Sequence, residues 1–274
     1  MNQFETVNIL GLDVAVLDFV TSIEIIETMA CRDEGGFISF SNAHTSMMAY
    51  FLDEYRDLSK RADIVLADGM PVVWTARFLG YRNCSRVSGP NLMEEVLARS
   101  PGSGLSHFFY GAGEGVPEKL KEKYTSRYPG LVVAGAYSPP FGPLTDAEDA
   151  EITERINSSG ADILWVGLGS PAKERFIVSH LERLRCVQVS VGAGLDFLSG
   201  NKPRAPELIQ NAGLEWAFRL STEPRRLWKR YASTNPVFTA LVACQLTLGL
   251  ERTMALRGKL DWLGEKLFGD IVAS

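Results

Sequence analysis

The strongest constraint on the fold is a pattern repeated six times: a short, nearly continuous apolar run ends at Gly, Asn, Asp or Pro and gives way to a helix-like segment. "FISFSN" leads into "AHTSMMAYFLDEY", "DIVLADG" into "VVWTARFLG", and "HFFYGAGEG" into "VPEKLKEKY". "VVAGAYSPP" precedes "TDAEDAEITERINSSG", "DILWVGLGSP" runs into "AKERFIVSHLERL", and "CVQVSVGAG" into "LDFLSG". Strands that are apolar on both faces and alternate with helices form a parallel sheet covered on both sides. The expected class is α/β, with a Rossmann-like, mostly parallel sheet flanked by helices.

A chain of 274 residues and 30.2 kDa is long enough to bury one large α/β core, alone or with a C-terminal appendage. With 46% hydrophobic and 22% charged residues it lies well away from disordered compositions. The formal net charge of -5 gives no support to nucleic-acid binding, which needs a basic surface. Cys31, Cys84, Cys186 and Cys244 have no paired spacing, so neither a zinc site nor a disulfide framework is expected, and a reducing cytoplasm fits. The N-terminal "MNQFETVNILGLDVAV" lacks the basic and apolar regions of a secretory signal. The longest apolar run, Pro236 to Leu250, is too short to span a bilayer and contains Gln245.

In open parallel sheets, ligands bind outside the carboxyl ends of the strands, where backbone N–H groups and helix N-termini favour anions. Asn42, Asp68, Gly111, Gly113, Gly167, Gly169 and Asp196 all fall at expected strand ends. Taken singly, Asn42 and Asp68 read equally well as helix caps, and the glycines as tight-turn residues. "GAGEGVP" and "GLGSPAKE" can bring backbone close to phosphate, but neither matches G-x-G-x-x-G, so a nicotinamide cofactor is disfavoured. A P-loop, a G-x-S-x-G elbow, an H-E-x-x-H helix and a D-x-D after a strand are all absent. A site needing neither metal nor cofactor is expected. The acids of "TDAEDAE" read as the first turn of a helix capped by Thr145.

From Arg219 to Lys259 eight basic residues face two acids, a local +6 within an acidic chain. Thr222 is placed to cap a helix with Pro224 in its first turn. Arg225 with Lys229, and Arg226 with Arg230, then form adjacent basic stripes beside Trp228 and Tyr231. Such a surface suits phosphate groups or an anionic membrane. The apolar segment that follows fits an interfacial helix, or burial against the domain or in a homo-oligomer.

"ADGMPVVW", "RVSGPNLM", "YGAGEGV", "YSPPF", "VGLGSPAKE" and "GLDFLSGNKPRAPELIQNAGLEWAFRLSTEPRRLWKRY" occur in the order of the motifs of the WecG/TagA/CpsF glycosyltransferases, and the chain resembles that family from about Asn8 to Tyr231. The resemblance implies a Rossmann-like glycosyltransferase domain over 1–220 and a helical, membrane-associating appendage over 221–274. It implies an inverting, metal-independent transferase that moves a sugar from a UDP-sugar to a polyprenyl-diphosphate-linked acceptor at the cytoplasmic membrane face.

By the family pattern Asp68 is the general base and Asn42 positions substrate beside it. Gly111, Tyr137, Gly167, Gly169, Pro171, Lys173 and Asp196 hold the nucleotide, and Arg219, Arg225, Arg226 and Arg230 bind diphosphate. The sequence departs from the pattern in three places. Lys173 stands where the family usually has Gln, Phe40 where it often has Thr, and Leu195 where it usually has Phe. N-acetylmannosamine, glucose and related sugars all fit as donor. Two other classes fit the same strand-and-helix pattern: an NAD(P)-dependent oxidoreductase without the usual fingerprint, and a non-catalytic nucleotide-sugar-binding scaffold.

Overall fold

The computed structural model describes residues 4–32, 35–211 and 213–272, without the side chains of residues 207, 211, 226, 270 and 272. A two-stranded antiparallel hairpin, β1 (Thr6–Ile9) and β2 (Leu12–Ala15), precedes the main sheet. The sheet contains β3 (Gly36–Ser41), β4 (Ile64–Ala67), β5 (Ser106–Gly111), β6 (Val132–Tyr137), β7 (Ile163–Gly167) and β8 (Val187–Val189), in the order β4-β3-β8-β7-β5-β6. The pairs β3–β8, β8–β7, β7–β5 and β5–β6 are all parallel, as continuous apolar runs separated by helices require.

By contact density the chain divides into two compact units, Met1–Asp18 with Ser41–Arg86 and Pro203–Ser274, and Phe19–Phe40 with Val87–Lys202. The second unit holds α1 (Phe19–Ala30), α5 (Gly89–Ser103), α6 (Val116–Arg127), α7 (Asp146–Ser159), α8 (Ala172–His180) and α9 (Gly194–Ser199) around β5 to β8. Phe108, Phe109, Tyr110, Leu164, Trp165 and Val166 are buried on both faces of its strands. His107 is the polar exception. Trp165 Nε1 donates to its Nδ1 at 3.1 Å, so Nε2 carries the proton and meets Ser100 Oγ at 2.7 Å. Burial holds the His107 pKa down at about 4. Thr145 caps α7 in a reciprocal capping box with Glu148, and those bonds hold the Glu148 carboxyl below the usual carboxylate range.

The first unit holds α2 (Ala43–Phe51), α3 (Asp53–Lys60), α4 (Met70–Phe78), α10 (Glu207–Asn211), α11 (Glu215–Thr222), α12 (Pro224–Leu248), α13 (Leu250–Ala255) and α14 (Asp261–Val272) with β1, β2 and β4. Leu227, Thr234, Phe238, Leu241, Val242 and Gln245 form the buried stripe of α12, and Phe238, Leu241 and Val242 join a core with Val72, Val73, Tyr50 and Phe268. Gln245, whose polarity argued against a membrane span, accepts from Leu10 N at 3.0 Å and donates to Asn8 O at 2.7 Å, tying α12 to the β1–β2 turn. Among the described residues no helix is long and apolar enough to cross a membrane.

The start of α12 differs from expectation. Its N-cap is Glu223 without a side-chain cap bond, while Thr222 ends α11 and its hydroxyl donates back to Phe218 O and Arg219 O. A threonine at a helix C-terminus finds carbonyls of the preceding turn within reach, and that option displaces the cap. Pro224 does occupy the first turn, where its missing N–H has no helical partner to lose.

Candidate active site

In the first unit the chain leaves β3 and β4 at adjoining positions. Asp68 N and Gly69 N both donate to Ser41 O, at 2.9 and 3.2 Å, which sets Asp68 beside Asn42. A Cβ on Gly69 would stand 3.0 Å from Asn42 Cβ, a tight contact that favours glycine between the two loops. Asn42 is a helix cap. Its Oδ1 accepts from His44 N and Thr45 N, and Thr45 Oγ1 closes the box on Asn42 N. The bonds spend the acceptor side of the amide and fix its orientation. Asp68 is not the cap of α4, because the N-cap position is Gly69, which has no side chain.

Asn42, His44, Asp68, Arg86, Glu215, Trp216, Arg219, Arg230, Tyr231, Thr234 and Asn235 line one cleft of about 230 Å³. The floor comes from strand ends and the start of α4, and the wall from α11 and α12. Arg86 joins floor to wall: Nε donates to Asp68 O at 2.7 Å, Nη1 to Gln210 O at 3.2 Å, and Nη2 to Glu215 Oε2. Its Nη2 lies 3.9 Å from Asp68 Oδ1. Arg86 opens "RVSGPNLM" and Glu215 lies in "GLEWAFR", yet neither was assigned a role from sequence; their shared position in the quoted motifs was the available signal. The two stripes of α12 separate: Arg230 lines the cleft, whereas Arg225 and Lys229 are exposed. The Arg226 side chain lies outside the described residues.

In the second unit the remaining candidates gather at the carboxyl edge of parallel strands. Gly111 and Gly167 end β5 and β7 in register with each other. Gly111 has φ of 103°, and a Cβ there would meet Gly167 C at 2.9 Å; a Cβ on Gly167 would meet Leu195 at 2.3 Å. The Gly167 backbone beside Gly111 and the Leu195 side chain beside Gly167 therefore favour glycine at both positions whether or not a phosphate binds. Gly169 faces open space. Tyr137 ends β6, stacks on Tyr110 and lies under the Arg155 guanidinium at 4.3 Å. Pro171 occupies the N-cap position of α8. Lys173, in the first turn of that helix, is 7% exposed; its Nζ donates to Ser190 O at 3.2 Å and stands 3.5 Å from Glu174 Oε1. Asp196 lies in α9, its carboxylate held by Asn201 Nδ2 at 2.9 Å and Lys202 Nζ at 2.7 Å. Among the described residues no three His, Cys, Asp or Glu side chains converge as metal ligands would.

The model of the glycosyl transferase WecG/TagA/CpsF family matches residues 7–252. The chain belongs to this family. A relative from Bacillus spizizenii is 31% identical over 232 residues, covering 84% of this chain and 87% of the relative. One from Bacillus subtilis is 31% identical over 201 residues, covering 73% and 76%, and one from Staphylococcus aureus is 27% identical over 242 residues, covering 86% and 92%. All three carry the name N-acetylglucosaminyldiphosphoundecaprenol N-acetyl-beta-D-mannosaminyltransferase. Membership makes this chain a glycosyltransferase, and not the oxidoreductase or scaffold that its strand-and-helix pattern also fitted.

Proposed function

We propose that the protein transfers a sugar, with inversion and without a metal ion, from a UDP-sugar to a polyprenyl-diphosphate-linked acceptor in cell-surface or exopolysaccharide biosynthesis. N-acetylmannosamine is the favoured donor sugar, since the named relatives transfer it. The observation that carries the reading is the meeting of Asp68 and Asn42 with Arg86, Arg219 and Arg230 in one cleft of the first unit.

Asp68 takes the proton from the attacking acceptor hydroxyl, as a general base within hydrogen-bond reach of that oxygen must. The oxygen bonds to the anomeric carbon from the face opposite the diphosphate, the bond from that carbon to phosphate oxygen breaks, and its electron pair leaves with UDP. Asn42, its Oδ1 fixed by the cap, presents its Nδ2 donors to the acceptor sugar. Arg219 and Arg230 neutralise diphosphate charge, the work a metal does in other transferases. In the second unit Gly111, Tyr137, Gly167, Gly169, Pro171, Lys173 and Asp196 hold the nucleotide, with Tyr137 offering a ring face and Asp196 a fixed carboxylate. Arg225, Arg226 and Lys229 of the 221–274 appendage draw the enzyme to the inner face of the cell membrane as a peripheral protein. A panel of UDP-sugars with a lipid-linked N-acetylglucosamine acceptor, read by product mass, tests this. A mass gain of one N-acetylhexosamine is expected, and no product with any donor would refute the reading.

A further inference from the structure

Helix α4 begins at the floor of the cleft with Met70 and Pro71 and carries the chain outward. Val72, Val73, Thr75 and Ala76 bury one side of it. The other side shows Trp74, 47% exposed, and Phe78, 76% exposed, one turn apart and therefore on the same face. Arg77 and Arg82 are exposed at the same end of the helix, where Gly80 N donates to Arg77 O and Tyr81 N to Ala76 O to close the final turn.

The aromatic pair continues into the cleft. Trp74 lies within 3.7 Å of the position a Cβ would take on Gly213, itself a cleft residue. The next residue, Leu214, is 49% exposed, and Trp216 at the cleft wall is 42% exposed. An apolar band thus runs from a cleft bearing arginines to a helix tip rimmed by arginines. A water-facing surface gains nothing from two aromatic rings at a helix tip, whereas a bilayer interface takes aromatic rings at the headgroup level and attracts cations through its anionic lipids. From Met70 to Phe78 the helix rises about 12 Å, at about 1.5 Å per residue.

We propose that the tip of α4, through Trp74, Phe78, Arg77 and Arg82, is a membrane-docking face for an anionic bilayer, separate from the basic stripe of the appendage. The inference rests on the lipid-linked acceptor reading above. Docking there presents the cleft to an acceptor embedded in the same leaflet.

The test uses the full chain with Phe78→Ser, Trp74→Ala and Arg82→Gln, first checked for an unchanged melting temperature. Co-sedimentation with phosphatidylglycerol vesicles is expected to weaken about tenfold for Phe78→Ser and about fivefold for Arg82→Gln, while Phe78→Trp retains binding. Turnover of a short-chain, water-soluble diphosphate acceptor is expected to be unchanged. Equal partition of the wild type and Phe78→Ser would overturn the proposal. So would a change in solution mass of Phe78→Ser with unaltered vesicle binding, which would assign the face to self-association. If the wild type binds vesicles through this face but turns over neither acceptor, the acceptor reading fails and the docking face stands.

Discussion

Arg86 fastens the backbone of Asp68 to Glu215. Its Nε holds the Asp68 carbonyl at 2.7 Å and its Nη2 donates to the Glu215 carboxylate, so one side chain joins the end of β4 to the start of α11. Glu215 takes the bond from Nη2, and the Asp68 carboxylate lies 3.9 Å from that nitrogen. The arginine thereby places the acid without hydrogen-bonding its carboxylate through Nη2. Arg86→Ala is expected to destabilise the fold by about 1–3 kcal/mol, since it leaves a half-buried carboxylate and two carbonyls short of a donor. Urea unfolding of Arg86→Ala, Glu215→Ala and the double variant checks the coupling. Strictly additive losses would show that the pair acts independently.

Asn42 is both a cap and a cleft residue, and substitutions separate the two roles. Asn42→Asp keeps an acceptor for His44 N and Thr45 N at a helix N-terminus that favours negative charge, so stability is expected to hold. It also removes the amide donors and adds charge beside Asp68, so transfer is expected to collapse. Asn42→Ala is expected to lose about 1 kcal/mol of stability as well. Thermal melts paired with turnover distinguish the outcomes; an active Asn42→Asp enzyme would confine the residue to capping.

Much of this architecture is legible in the sequence because strands buried on both faces must be largely apolar, as "ILWV" and "FFY" are. The strand-end positions of Asn42 and Asp68 follow from where those runs stop. The pairing of Arg86 was not legible, since its partners Gln210 and Glu215 lie 124 and 129 residues away and no periodicity links residues so far apart. Gln245 argued correctly against a membrane span, but its partners lie in the first hairpin, so its part in satisfying a buried turn was not legible for the same reason. The glycines at 111 and 167 suit phosphate approach, and the fold supplies independent reasons for them: the neighbouring strand backbone beside Gly111 and the Leu195 side chain beside Gly167.

His107 makes stability depend on pH. Its pKa is about 4 folded against 6.5 unfolded, so between those values the unfolded chain binds the additional proton. The contribution is intact above pH 6.5 and is lost as pH falls toward 4. From pH 7 to 5 the loss is about 2 kcal/mol. In His107→Gln, whose amide can still accept from Trp165 and donate to Ser100, the drop in urea stability over that range is expected to shrink by about that amount. An identical pH profile would remove His107 as the cause.

Helix α12 is docked on its unit through Gln245. Gln245→Leu leaves the buried Leu10 N–H and the Asn8 carbonyl without their partner, at a cost of about 1–3 kcal/mol. Hydrogen exchange in lipid-free solution is expected to show α12 protected in the wild type and loosened in the variant. Unprotected α12 amides in the wild type would mean that the helix docks only at a membrane.

The proposed chemistry turns on the Asp68 carboxylate. Asp68→Asn preserves size and shape and removes the base. Turnover of a lipid-linked acceptor with its UDP-sugar, measured beside UDP binding and the melting temperature, tests it most directly. The expected result is transfer lowered by at least about a hundredfold, the lower end of what a positioned general base contributes, with binding and melting unchanged. Turnover within a few-fold of the wild type would contradict it and remove Asp68 from the chemistry.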